Sequence, residues 1–155
     1  MSEKTEKAKQ LFLEGYNCSQ AVLGAFCEEL GLDFETAMRL SASFGAGMGR
    51  LREVCGAVSG GFMVAGLKFG GISPSDQVGK AEHYKRIQDM AARFTEKNGS
   101  IICRTLLEKK KEEKESHVPD KRTQEYYKQR PCLAIVEEMA GITEAMLNGT
   151  FYEKP

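Results

Sequence analysis

Apolar residues recur at helical spacing along most of the chain. Ala8, Leu11 and Phe12 fall at i, i+3, i+4 behind Ser2, a favourable N-cap, and the pattern stops at Gly15. Asn17 caps a second segment that carries Ala21, Val22, Ala25 and Phe26 on one face and ends at Gly31. Asp33 opens a shorter helix reaching Ser43. Beyond the glycine-rich loop Gly45-Ala46-Gly47-Met48-Gly49-Arg50, an apolar run from Val54 to Phe69 predicts a buried helix closed by Gly70-Gly71. Ser73-Pro74 then predicts a start, with Ser as cap and Pro as first helical residue. That helix carries His83, Ile87, Met90, Ala91 and Phe94 to a stop at Asn98-Gly99.

Ser100 is read as the cap of a further helix beginning Ile101-Ile102-Cys103. From Leu107 the pattern gives way to interleaved charges, Glu108 to Glu115, read as a solvated helix end or linker spanning 108–122. Thr123 to Arg130 adds Tyr126 and Tyr127, and Pro131 opens a last region with Leu133, Ala134, Val136, Met139 and Ala140. A break is expected at Gly141 before Thr143 to Leu147. No period-2 run bounded by hairpin turns and no internal repeat is present. The expectation is an all-α single-domain bundle of six to eight helices over residues 1–155.

Composition narrows the function. The 155 residues carry 22 Lys plus Arg against 22 Asp plus Glu, so no net charge steers the chain toward nucleic acid. A chain of this size buries roughly 70% of its unfolded surface, and its 41% hydrophobic content builds a core without disulfides or metals. The Val54 to Phe69 run is short for a membrane span, is glycine-rich and includes Ser59 and Lys68, so no membrane association is expected. The opening MSEKTEKAKQ has no apolar signal region, which points to the cytoplasm. There, cysteines are more often catalytic, metal-binding or inert than disulfide-bonded.

Four of the five cysteines fall where helices are expected to begin. Cys18 follows the Asn17 cap, Cys55 follows the glycine loop, Cys103 lies three residues past Ser100, and Cys132 follows Pro131. Cys27 is placed in a helix interior. A helix N-terminus favours an anion by about 0.3–1 kcal/mol, so each of the four is expected to be up to about a pKa unit more acidic than a free thiol. There is no C-x-x-C, no haem-attachment motif, no ferredoxin run and no zinc-ribbon spacing, so any joint site must be assembled by the fold. Converging thiolates suit Zn or an iron–sulfur cluster; close pairs suit dithiol–disulfide exchange without a cofactor.

The segment Gly15-Tyr16-Asn17-Cys18-Ser19-Gln20-Ala21-Val22, the glycine-rich stretch, Cys55-Gly56-Ala57-Val58-Ser59-Gly60 and Gly66-Leu67-Lys68-Phe69-Gly70 together resemble the C_GCAxxG_C_C family, whose members carry a redox-active label. The resemblance spans nearly the whole chain and implies a small helical protein with four characteristic cysteines, matched here by Cys18, Cys55, Cys103 and Cys132. The motif reads Cys-Gly-Ala here where the family's name has Gly-Cys-Ala. Cys27 has no counterpart.

Independently of that label, small residues at i+4 spacing, Gly56 with Gly60, Ala57 with Gly61 and Gly61 with Ala65, lay a strip along one helix face that lets a helix or a second thiol come close. Gly45, Gly47 and Gly49 without a preceding strand are a weak phosphate signal. Arg50 and Arg52 are expected instead to lower the pKa of Cys55 or to pair with Glu53. His83 is assigned a helix surface or core role, His117 lies in the charged linker, and no Ser-His-Asp set is evident.

Three readings follow. In the first, the chain is a thiol-disulfide oxidoreductase-like protein serving a redox partner, with Cys55 attacking and Cys18, Cys103 or Cys132 resolving. In the second, the same four cysteines ligate a metal or cluster. In the third, a helical interaction protein, a homodimer through an apolar helix face, holds its cysteines in the core.

Overall fold

Short-range capping chemistry accounts for where most helices begin. In the computed structural model, which describes residues 2–109 and 115–153, Ser2 accepts from the Thr5 amide to open α1 (Glu3–Leu13). Asn17 and Gln20 cap each other's backbone amides in a capping box opening α2 (Cys18–Phe26). Asp33 accepts from Thr36 to open α3 (Phe34–Ser41). The further helices are α4 (Gly56–Phe69), α5 (Gln77–Asn98), α6 (Cys103–Leu106), α7 (Gln124–Gln129) and α8 (Cys132–Asn148). Gly31, Gly99 and Gly149 adopt positive φ where the chain must turn away from a helix end. The fold is all-α among the described residues, with one isolated antiparallel bridge, Val54 to Ile102.

Four boundaries differ from expectation. Helix α2 stops at Phe26, and a separate 3-10 turn over Glu28–Leu30 carries the chain to Gly31. Asp76, not Ser73, caps α5 by accepting from the Gly79 amide at 2.9 Å. The stretch from Ser73 is a turn closed by the Asp76 amide on the Ser73 carbonyl. Ser100 accepts from the Ile102 amide, but the helix waits until Cys103 because Val54 and Ile102 pair across the bridge. Helix α8 continues through Gly141, since Val136, Met139, Ile142 and Thr143 are buried on both sides of it. That burial, worth about 1.5–3 kcal/mol per large apolar side chain, outweighs the cost of about 1 kcal/mol for a helical glycine.

Helix α4 is the hub. It packs most extensively against α2 and also against α8, while α1 lies across α2 and α8, α3 sits on α2, and α5 covers α8 and α4. Phe12, Phe26 and Phe94 are fully buried, surrounded by Leu23, Val58, Val64, Met90, Val136 and Met139. No helix among the described residues is long and apolar enough to cross a membrane. Of the charged run expected to be solvated, residues 110–114 lie outside the described residues, whereas the Glu115 side chain is largely buried.

Candidate thiol site

Each of the four singled-out cysteines stands at a helix start. Cys18, Cys103 and Cys132 are the first residues of α2, α6 and α8, and Cys55 is the N-cap of α4. The Asn17 amide group also donates to the Ala42 carbonyl at 3.0 Å, and Gln20 donates to the Met38 carbonyl, so the start of α2 is fixed against α3. Around the Val54–Ile102 bridge the Cys55 amide donates to the Ile101 carbonyl at 2.7 Å and the Cys103 amide to the Glu53 carbonyl at 2.6 Å. Antiparallel alternation therefore sets the Cys55 and Cys103 side chains on the same side of the bridge.

The glycine loop that leads into this bridge is a turn of left-handed helix. Ala46, Gly47, Met48, Gly49 and Arg50 all have φ between 58° and 70°, the Gly49 amide donates to the Gly45 carbonyl at 3.0 Å, and Arg52 is again left-handed at 60°. A non-glycine residue in that region costs roughly 1–2 kcal/mol, so the surroundings must hold the segment in place. A Cβ on Gly47 would lie 2.6 Å from Cys103 Cβ and 2.7 Å from Arg52 Cα, which brings the turn directly against the thiol region. Arg50 is gripped by the Ser116 carbonyl at 2.7 Å, Glu115 at 3.0 Å and Asp120 at 3.2 Å.

All four cysteines line one cavity of about 280 Å³, together with Arg52, Tyr126 and the apolar side chains of Phe12, Leu106 and Ile135. All four are free thiols. Cys18 and Cys132 are half-buried, while Cys55 and Cys103 are only 6% and 8% exposed. Cys27 lies apart in the core at the C-terminal end of α2, its thiol donating to the Gly24 carbonyl at 3.8 Å, and takes no part in the cavity wall.

Burial reverses the expected acidity of three of these thiols. It pushes Cys55 well above the ordinary thiol value, with the neighbouring charge of Cys18 adding to it. Cys132 is pushed up to about 11, first by burial and then by Cys18. Cys103 is raised by burial as well, although Arg52 Nη1, donating to its Sγ at 3.7 Å, pulls the other way. A helix N-terminus contributes less than the loss of water around a buried thiolate, which accounts for the sign. Arg52 thus serves Cys103 and Glu115, and Arg50 serves Glu115 and Asp120; neither arginine makes the expected contact with Cys55 or Glu53.

Sequence reasoning missed the segment that closes the cavity from residue 115 onward. Arg122 donates to the Phe12 and Tyr16 carbonyls at 2.8 and 2.9 Å and stacks over Phe12. Burial pushes the Tyr126 phenol up to about 12, with Cys132 adding to it. Glu115 is drawn down to about 2 by Lys109 and then by Arg52. The Arg122 contacts span 106 and 110 residues and that of Arg50 with Glu115 spans 65, so no local pattern could have announced them. His117 lines the cavity, whereas His83 stays on α5 beside Arg86.

The small-residue strip of α4 has two uses. A Cβ on Gly56 would lie 2.5 Å from Cys18 Sγ, and one on Gly60 would lie 2.8 Å from the Ser19 carbonyl. Four residues apart, both glycines face the first turn of α2. The Cys-Gly-Ala-x-x-Gly spacing from Cys55 to Gly60 is thus what seats the start of α4 on the start of α2, with one thiol from each. A family model matches residues 16–146, a span that carries this motif and all the cysteines, and its description reads "Putative redox-active protein (C_GCAxxG_C_C)". The chain belongs to the C_GCAxxG_C_C family. No curated protein and no solved structure matches it. Among the described residues of this C_GCAxxG_C_C member, no three Cys, His, Asp or Glu side chains are grouped so as to hold a metal ion. The four thiols share a cavity without forming a ready-made ligand set.

Proposed function

We propose that the chain is a small thiol redox protein that exchanges electrons by dithiol–disulfide chemistry, with Cys18 attacking and Cys55 resolving. The observation that carries this reading is the convergence of four helix-start cysteines, all free, on the wall of one cavity. Cys18 is half-buried, rests against the glycine that follows Cys55, and exerts the largest charge effect on both Cys55 and Cys132. Accessibility favours it as the attacking sulfur over the more deeply buried Cys55. The roles thereby reverse the assignment made from sequence, which relied on arginines that turn out to serve other groups. Cys103 and Cys132 stand as a second tier able to accept the disulfide by exchange.

The test is oxidation of the fully reduced protein by 2-hydroxyethyl disulfide, followed by peptide mapping without reductant. The expected product is a Cys18–Cys55 disulfide. Oxidation of Cys27 with the other four thiols still free would overturn the reading. So would stoichiometric Zn or Fe after anaerobic purification, lost on Cys55→Ser.

A further inference from the structure

Among the described residues, Arg52 is a buried cation, two of whose side-chain nitrogens are left without hydrogen-bond partners. Its side chain is 3% exposed, and its Nη2 makes no hydrogen bond among the described residues. Nε lies 3.2 Å from Glu115 Oε1 but out of line for a hydrogen bond, and Nη1 reaches only the Cys103 sulfur. A buried guanidinium presents a fork of donors that a carboxylate fills, and a donor left empty is costly. The left-handed backbone at Arg52 directs this group to the cavity wall, at the expense of conformational strain.

The rest of the lining agrees in sign and shape. Arg50, Arg122 and Arg130 also line the cavity; Glu115, paired with Arg50 and Arg52, and Asp120, paired with Arg50 and Arg130, set two carboxylates against these four guanidinium groups, so the site attracts negative charge. Phe12 and Ile135 offer an apolar wall to the body of a ligand, and a volume of about 280 Å³ admits a short chain. Cysteine sulfurs stand in the same wall. An anion held beside thiols, with an apolar body between, describes a molecule whose own reactive bond is to sulfur.

Building on the thiol-exchange reading, we propose that the cavity binds a small disulfide bearing a carboxylate, with Arg52 holding the carboxylate. The Cys18 thiolate attacks one sulfur of the bound disulfide, forming a mixed disulfide and releasing one small thiolate, which takes a proton. The Cys55 thiolate then attacks Cys18 Sγ, forming the Cys18–Cys55 disulfide and releasing the second small thiolate. Two electrons and two protons pass from the protein dithiol to the small disulfide, which leaves as two thiols.

Three probes of similar length separate charge from reactivity: 3,3′-dithiodipropionate, 2-hydroxyethyl disulfide and cystamine. Each is mixed with reduced protein under pseudo-first-order conditions, and each rate is divided by that probe's rate with free dithiothreitol. The normalised rate of dithiodipropionate is expected to exceed that of the neutral probe about tenfold, the scale of one charge-assisted hydrogen bond, with cystamine slowest. In Arg52→Gln the ratio of anionic to neutral rates is expected to fall to about one; using the ratio cancels any effect of Arg52 on Cys103. Should that variant not fold, the wild-type protein still decides the matter. Octanedioate, the isosteric dianion with no sulfur, is expected to slow the dithiodipropionate reaction, whereas 1,8-octanediol is not. Equal normalised rates, a preference for cystamine, or no protection by octanedioate would overturn the carboxylate site while leaving exchange intact. Failure of all three probes to oxidise Cys18 and Cys55 would bring down exchange itself.

Discussion

Helix α4 meets its neighbours through glycine both at its middle and at its start, and the two places differ in what they bring near. At the middle, a Cβ on Gly61 would lie 2.5 Å from Met139 Cε and 2.7 Å from Thr143 Oγ1, and one on Gly60 would press on the Ser19 carbonyl and Val22. These are core atoms, and the missing side chains let three helices interlock. At the start, Gly56 makes room for Cys18 Sγ and Gly47 for Cys103. The same residue type secures packing in one region and close approach of cavity-lining sulfur in the other. Cysteine divides in the same way: Cys27 fills the core and Cys55 faces the cavity.

The widest separation is expected from those two cysteines. Cys55→Ser abolishes the intramolecular disulfide with Cys18 while changing the melting temperature by only a few degrees. Cys27→Ala leaves oxidation intact and lowers unfolding free energy by about 1–2 kcal/mol, read by urea denaturation. If Cys55→Ser still consumes two thiols at the wild-type rate, the division between the regions collapses.

A second contrast uses the glycines. Gly60→Val forces branched carbons onto the Ser19 backbone and is expected to cost about 3 kcal/mol, lowering the melting temperature by about 6–12 °C. Gly56→Ala presses first on the Cys18 thiol and then on the Phe44 carbonyl, 2.9 Å from the added carbon. Its expected signature is a tenfold to hundredfold slower Cys18–Cys55 oxidation, by roughly the penalty for misplacing a reacting group, with a smaller thermal loss than Gly60→Val. Should Gly56→Ala lose stability without losing rate, the start of α4 is ordinary core.

How far the sequence reached follows from the range of the interactions. Ser2, Asn17 and Asp33 were legible because a cap and the amide it serves are three residues apart. The helix-start positions of Cys18, Cys55, Cys103 and Cys132 followed from those same caps and from glycine and proline punctuation. The left-handed turn at 46–50 was not legible. Gly47 and Gly49 permit it, but Ala46, Met48 and Arg50 are held there by contacts such as that of Arg50 to Ser116, 66 residues away. The direction of the thiol shifts was misread for a related reason: the helix dipole is local, whereas desolvation comes from Tyr126, Phe12 and other side chains that only the fold gathers. Glu115 looked like one charge in a solvated run until Arg50, Arg52 and Lys109 closed on it.

The subtlest expected difference between the regions is in pH dependence. The Cys132 thiol titrates at about 11 in the fold against an ordinary value of 9.0, because burial disfavours its thiolate. Below pH 9 both folded and unfolded chains keep the proton, and the stabilisation is fully present. Between about pH 9 and 11 the unfolded chain gives the proton up while the folded chain retains it, so stability falls as pH rises, by at most about 1.4 kcal/mol per pH unit for one proton. Glu115 runs the other way at the acid end. Lys109 and Arg52 hold it at about 2 against 4.5, so its contribution is present above pH 4.5 and is lost as pH falls toward 2. Urea midpoints measured from pH 8 to 11 on wild type and Cys132→Ala isolate the alkaline effect from that of tyrosines and lysines common to both. The variant is expected to show a shallower decline. Cys27→Ala is expected to flatten the curve as well, since burial and Glu28 raise that thiol too. Parallel curves for wild type and Cys132→Ala would mean that water reaches the cavity sulfurs freely, and that the two regions differ in packing but not in polarity.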